Sequence, residues 1–341
     1  MTMAGAVLVT GGTGYIGGWC VTELLRRGHT VRATVRNPSR AAELRAVAPV
    51  AVAGGRLSVV VADLASDDGW DAAVEGCEHV LHVASPLGRE GMADPAALIV
   101  PARDGALRVL AAAARAGVRR VVMTSSCAAA TPPLGSGGDG WGEEVWTDLE
   151  HRLPDPYRAS KVVAEHSAWK FAAGLDGTTL TTVLPGTVFG PVTDVSDAGA
   201  VALVGRLLRG MPGVPRFGLN VVDVRDVVDL HIRAMTDERA AGERFIAVSG
   251  FLWLADIARE LREKLGPAAE RVPTRGLPDL LVRAAAAFDP VLRRHLPLLG
   301  RAHAHTSLKA RRLLGWQPRP AGTTVVDCAE SLLAHDAVRA A

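Results

Sequence analysis

Along the first 190 or so residues, short apolar runs of strand length alternate with stretches whose apolar positions recur at helical spacing. Strands are expected at 6–10, 30–35, 56–61, 78–82, 119–124 and 178–184. After the first run, Ile16, Val21, Leu24 and Leu25 mark a helix that stops at Gly28, a residue suited to the left-handed turn ending a helix. An alanine-rich helix is expected over 95–116, and another begins at Pro156, where a proline sits well in a first turn. Strands alternating with helices predict an α/β fold, a doubly wound parallel sheet.

Past Pro191 this alternation loosens. A short strand and a helix capped near Asp223 are expected over 220–231, and a strand at 244–248 returns to the main sheet. Helices follow at 255–265 and 307–314. The division expected is a nucleotide-binding domain over 1–185, with returns at about 219–248, and a mainly substrate-binding lobe over 186–341. The apolar stretch 277–299 carries Asp279, Arg283, Asp289, Arg293 and Arg294, so it reads as buried helices and not as a membrane span.

The first strand runs into Gly11-Gly-Thr-Gly14-Tyr-Ile-Gly17. Three glycines spaced three apart let backbone approach a pyrophosphate and let the helix pack tightly on its strand. Free N–H groups at the helix start then face the phosphates. Gly11, Thr13, Gly14, Tyr15, Ile16 and Gly17 are therefore expected to line a dinucleotide. The next strand ends in Arg36, with Arg40 close behind, where an acidic residue would have favoured NAD. A guanidinium there pairs a 2′-phosphate, which points to NADP(H). Asp63 ends the third strand and either meets the adenine amine or caps a helix near Asp67; Leu64 follows it. Val83, Ala84 and Ser85, small or slim residues at the end of the fourth strand, leave room for cofactor. His82 reads as a strand residue and His79 as surface.

Composition narrows the partners. The net charge is +2 and charged residues make up 22% of the chain, so neither nucleic acid nor a charged membrane is expected. Cys20, Cys77, Cys127 and Cys328 are scattered, which predicts free thiols, no zinc site and a reducing, cytoplasmic setting. The first strand begins too close to Met1 for a leader to be expected. His303 and His305 lack a neighbouring carboxylate or cysteine, so surface histidines are expected and no metal. A loop with Trp141 and Trp146, rich in glycine from 135 to 142, reads as a lid.

Tyr157 and Lys161 lie four apart on the helix after Pro156. A lysine ammonium one turn from a tyrosine favours phenolate and brings the phenol within range of general-acid work on a carbonyl. Of the chain's two tyrosines the other, Tyr15, sits in the glycine turn. The strand ending at Thr124 delivers two hydroxyls, Ser125 and Ser126, either of which could hold a carbonyl oxygen.

With these motifs in hand, the sequence resembles the extended branch of the short-chain dehydrogenase/reductase superfamily, in particular the dihydroflavonol 4-reductase-like aldehyde and ketone reductases. The resemblance rests on residues 10–17, 31–36, 62–64, 82–86, 124–126, 157–161, 184–186, 222–226 and 314–316. It implies an NADP-binding doubly wound domain with a smaller C-terminal substrate lobe. It also implies that Ser126 is the catalytic serine, Tyr157 the acid and Lys161 the residue that also holds the nicotinamide ribose. Arg36 falls on the 2′-phosphate, and the chain from Pro185 to Val188 meets the carboxamide. Thr131 stands where the plant enzymes have a flavonoid-reading asparagine, and Asp155-Pro156-Tyr157-Arg158 departs from the cinnamoyl-CoA reductase motif. Cys127-Ala128-Ala129 lacks the acidic pair of sugar-nucleotide dehydratases. The expected substrate is a small apolar or aromatic carbonyl compound, or the matching alcohol, and the expected assembly is a monomer or homodimer. The competing readings are an NAD-dependent sugar-nucleotide epimerase or dehydratase and a non-catalytic NADP-sensing protein.

Overall fold

Strands buried on both faces need apolar side chains on both sides, and the central strands supply them in strict alternation. In β1 (Ala6–Thr10), Val7 and Val9 enter one core and Leu8 the other. The computed structural model describes residues 5–47, 54–86, 95–133, 136, 138–150, 155–192 and 199–335. Its main sheet comprises β1, β2 (Val31–Val35), β3 (Leu57–Val61), β4 (Cys77–His82), β5 (Arg120–Thr124), β6 (Thr179–Pro185) and β9 (Arg244–Ala247). All pairings are parallel, in the order β3-β2-β1-β4-β5-β6-β9.

One face packs on α1 (Tyr15–Arg26), α2 (Arg40–Val47), α7 (Val224–Thr236) and α11 (Leu308–Leu314). The other packs on α3 (Trp70–Val74), α4 (Ala96–Arg115) and α5 (Pro156–Ala172). This is the doubly wound parallel sheet expected. Its strand order reverses between β1 and β4, and the carboxyl ends of the strands at such a switch are where this architecture seats a ligand.

A second sheet has the order β10-β8-β7, with β7 (Thr187–Phe189) parallel and β10 (Gly250–Trp253) antiparallel to β8 (Gly218–Asp223). It shares a core with α6 (Ala200–Arg209), α8 (Leu254–Leu265) and α12 (Ala321–Ala334). Asp223 caps α7 by accepting from the Arg225 N–H, as the sequence implied.

Two expectations fail. The stretch 277–299 forms two short helices, α9 (Asp279–Ala285) and α10 (Pro290–His295), but it is buried only in part: Val282, Ala286 and Leu299 are buried, while Leu280, Leu281 and Phe288 are exposed. Its charges leave an apolar stripe too narrow to bury more than one side. His79 is buried, not at the surface, because β4 is central in a sheet covered on both sides.

Candidate active site

The turn after β1 is built for close approach. Gly11 has φ +70, and a Cβ there would lie 3.0 Å from the Ala84 Cβ, across the switch between β1 and β4. A Cβ on Gly17 would sit 2.1 Å from the Gly11 carbonyl oxygen, so only glycine lets α1 start against this turn. Gly14 is the N-cap of α1 and offers no side-chain acceptor, which leaves the first N–H groups of the helix free for an anion. Thr34 ties β2 to the turn, its Oγ1 accepting from the Gly11 N–H at 3.1 Å and its carbonyl from the Gly12 N–H at 3.1 Å. Arg36 therefore emerges, exposed, two residues past the turn's anchor. Thr13 and Ile16 are half-buried and Gly14 exposed along the same rim.

The phenol of Tyr15 turns into the second lobe's core. Its buried hydroxyl has no hydrogen-bond partner among the described residues, and burial beside Cys328 and Asp223 drives its pKa far up. The ring of Tyr15 is thus committed to packing in that core.

Thr10 and His82 were not expected to matter together, yet they fix the floor. The Ala84 N–H donates to Thr10 Oγ1 at 3.0 Å, and Thr10 Oγ1 lies 2.9 Å from His82 Nδ1. Burial, aided by the Lys161 charge, holds the His82 pKa down at about 3, so it is neutral and accepts the threonine proton. The pair sets the course of Val83, Ala84 and Ser85. Asp63 does not cap α3, which starts at Trp70 behind Gly69; its carboxylate instead accepts from the Ala65 N–H at 3.0 Å in a turn. Leu64 packs against Gly105 of α4, where a Cβ would come within 2.7 Å.

On α5, Asp155 caps the first turn by accepting from the Arg158 N–H at 3.1 Å. Tyr157 is half-buried and Lys161 buried, with Lys161 Nζ 5.8 Å from the centre of the Tyr157 ring. Lys161 Nζ also donates to Ser85 Oγ at 3.2 Å, so α5 reaches the end of β4. The two serines after β5 differ. Ser125 is buried and donates to Glu165 Oε2 at 2.6 Å. Ser126 is half-buried, and its Oγ accepts from the Ala128 N–H at 3.1 Å, which leaves its proton uncommitted among the described residues. Pro185 ends β6, buried, and Val188 is half-buried in β7 opposite Val222.

The loop around Trp141 and Trp146 is docked, although Gly135 and Gly137 lie outside the described residues. The Gly140 and Trp141 N–H groups donate to the Ala304 carbonyl, and the Thr306 N–H donates to that of Trp141. Trp146 is clamped by the Arg244 guanidinium, 3.6 Å from its ring centre, and by the stacked His166 ring at 3.8 Å. A lid needs a ring free to swing, and Trp146 is held by both Arg244 and His166.

His303 and His305 are a further correction: both are buried. Asn220 holds this strip, its Nδ2 donating to the His303 carbonyl and its Oδ1 accepting from the His305 N–H. His305 Nε2 lies 2.8 Å from the Ala130 carbonyl, which fixes its proton on that nitrogen. Burial lowers the His303 pKa to about 4 and that of His305 in the same direction. No group of three or more potential metal ligands occurs among the described residues, and no described helix is long and apolar enough to cross a membrane. All four cysteines are free and buried.

The model of the NAD dependent epimerase/dehydratase family matches residues 7–247. Cinnamoyl-CoA reductase CAD2 of Medicago truncatula is 34% identical over 273 residues, covering 76% of this chain and 81% of that protein. Dihydroflavonol 4-reductase of Zea mays is 33% identical over 277 residues, covering 76% and 74%. The structure of the yeast methylglyoxal/isovaleraldehyde reductase Gre2 complexed with NADPH superposes with a TM-score of 0.81 at 26% identity, over 98% of this chain and 99% of that one.

Proposed function

The chain belongs to the NAD dependent epimerase/dehydratase family, within the extended short-chain dehydrogenases/reductases, and we propose that this member, an NADP-dependent oxidoreductase, reduces the carbonyl of an apolar or aromatic aldehyde or ketone. The observation that carries the reading is the approach of Lys161 to both Tyr157 and Ser85, which joins the helix of the proposed acid to the end of β4. The cofactor supplies a hydride when bound. The glycine cradle and the uncapped start of α1 fit its pyrophosphate, Arg36 its 2′-phosphate, and Lys161 its ribose. The chain from Val83 to Ser85, with Pro185 and Val188, lines the remainder.

Ser126 donates its free proton to the substrate carbonyl oxygen and holds it in place. Tyr157 delivers a proton to that oxygen as the alkoxide develops. The Lys161 ammonium stabilises the phenolate left behind. In the opposite direction the same residues take the proton from an alcohol. The lobe from 186 onward, built on β7, β8 and β10, forms the substrate side.

A sugar diphosphate would ask for a cluster of free cations there. Arg216 is instead held by Asp279 at 2.5 Å. The relatives' names include a cinnamoyl-CoA reductase, a dihydroflavonol 4-reductase and a methylglyoxal/isovaleraldehyde reductase, so both aromatic and aliphatic carbonyls belong in the search. The test is NADPH oxidation over a panel of alkyl and aryl aldehydes, aryl ketones, β-keto esters and flavanones, with nucleotide sugars alongside. Turnover confined to nucleotide sugars would overturn the reading.

A further inference from the structure

A fully buried carboxylate sits one turn beyond Lys161 on α5. Glu165 is 0% exposed, and five donors converge on it. Oε2 accepts from Ser125 Oγ at 2.6 Å and from Arg244 Nη2 at 3.3 Å. Oε1 accepts from Arg244 Nε at 2.8 Å, Thr182 Oγ1 at 2.8 Å and, longer, Trp169 Nε1 at 3.4 Å. The Arg244 contact is the bidentate fork, and the remaining guanidinium nitrogen donates to the carbonyls of Glu143 and Val145. Every polar atom in the cluster is answered.

Burying an ion pair gives little net stability over an apolar pair of the same volume, so stability alone is a weak reason for it. Geometry is a better one. Apart from Trp169 on the same helix, the donors come from the end of β5, the middle of β6 and the start of β9, and Glu165 itself from the helix that carries Tyr157 and Lys161. The tether to Ser125 also decides which hydroxyl is left free: it draws Ser125 inward and leaves its neighbour, Ser126, outward. A shift of about 1 Å between serine and tyrosine is enough to cost about a hundredfold in rate.

We infer that Glu165, locked by Arg244, is a positioning residue for carbonyl reduction, setting the spacing of Ser126 from Tyr157 and Lys161 by pinning the end of β5 to α5. The inference rests on the reductase reading and adds to it a residue that touches neither substrate nor cofactor.

Glu165→Gln alone would strand a buried guanidinium, so the main variant is Glu165→Gln/Arg244→Gln, which removes the charges together. Ser125→Ala, which cuts the tether and leaves the ion pair, is its partner. Each is compared with the wild type for melting temperature, NADPH affinity, kcat and KM on the best carbonyl substrate, and the isotope effect with NADPH deuterated at the transferred position.

The expected result is a kcat lowered tenfold or more in the double variant and three- to tenfold in Ser125→Ala. KM and NADPH affinity should stay within about threefold, and the isotope effect should rise as hydride transfer becomes limiting. A merely structural role would lower the melting temperature and leave kcat and the isotope effect alone; that pattern overturns the inference. A wild type that reduces no carbonyl overturns the reductase reading itself, a failure visible before any variant is compared.

Discussion

Lys161 donates to the hydroxyl of Ser85 at 3.2 Å, and this contact joins the helix bearing the proposed acid to the chain end where the cofactor is expected. The same ammonium lies 5.8 Å from the Tyr157 ring centre, so one charge serves two sites. Tyr157→Phe keeps the ring and removes the proton. Turnover should fall by roughly 10²–10⁴, the usual worth of a positioned acid, with NADPH affinity unchanged. Lys161→Met should lower turnover and weaken NADPH binding together, because the one ammonium that lies near the Tyr157 ring is also the proposed holder of the cofactor ribose. Stopped-flow reduction and a fluorescence titration read both. Near-wild-type turnover in Tyr157→Phe would falsify the assignment.

Cofactor preference turns on Arg36. It is exposed at the end of β2, whose Thr34 is bonded to the glycine turn, so it stands at the edge where an adenine ribose phosphate would lie. A hydrogen-bonded pair with a charged group is worth about 1.5–3 kcal/mol, and solvent at an exposed site puts the effect toward the lower end. Arg36→Ala should weaken NADPH by about tenfold and leave NADH alone. Equal losses for both cofactors, measured by titration, would remove Arg36 from the phosphate site.

Trp146 should behave as a structural residue. Arg244 lies over its ring and His166 stacks on it, and cation–π contacts of this kind contribute about 0.5–2 kcal/mol. Trp146→Ala should lower unfolding free energy by about 1–3 kcal/mol, less than a fully buried tryptophan would. KM and NADPH affinity should move by less than about twofold. A large rise in KM with an unchanged melting temperature would return Trp146 to the ligand.

The glycine turn, the strand ends and the Tyr157–Lys161 pair were legible because each rests on local spacing that a linear reading preserves. The second lobe was less so: β7 and β10 are runs of three and four residues whose partners lie far along the chain, although α6 carries a clear helical stripe at Val201, Val204, Leu207 and Leu208. Glu165 and Arg244 escaped notice for the same reason. They are 79 residues apart, and only the packing of β9 beside β6 brings them together. One signal was available, an arginine opening an otherwise apolar strand, which must find a buried partner. His303 and His305 misled for the opposite reason. A polar residue in a loop reads as surface, and the asparagine that buries this strip lies more than 80 positions upstream.

Acid should unfold this protein earlier than its carboxylates alone would require. Burial holds His82 at about 3, and His231 and His303 at about 4. His231 is also committed as a neutral ring, with Thr124 Oγ1 2.7 Å from its Nε2 and its Nδ1 2.7 Å from the Val227 carbonyl. An unfolded histidine titrates near 6.5. Between that value and about 4 the unfolded chain binds protons that the folded chain refuses, so stability rises with pH across this window. It is complete above about pH 7 and lost as pH falls through 6 and 5. Each such histidine costs up to about 1.4 kcal/mol per pH unit once its unfolded form is protonated. Glu143 and Asp226 oppose the trend, since burial raises both and their protonation favours the folded state at low pH. Three strongly shifted histidines outweigh two modestly raised acids, so the free energy of unfolding should drop by several kcal/mol between pH 7 and 5. Urea titrations at pH 7.5, 6.0 and 5.0 measure it directly. A stability that stays level across that range would mean that these rings accept protons in place, and that the Thr10–His82 and Thr124–His231 contacts survive a charged imidazole.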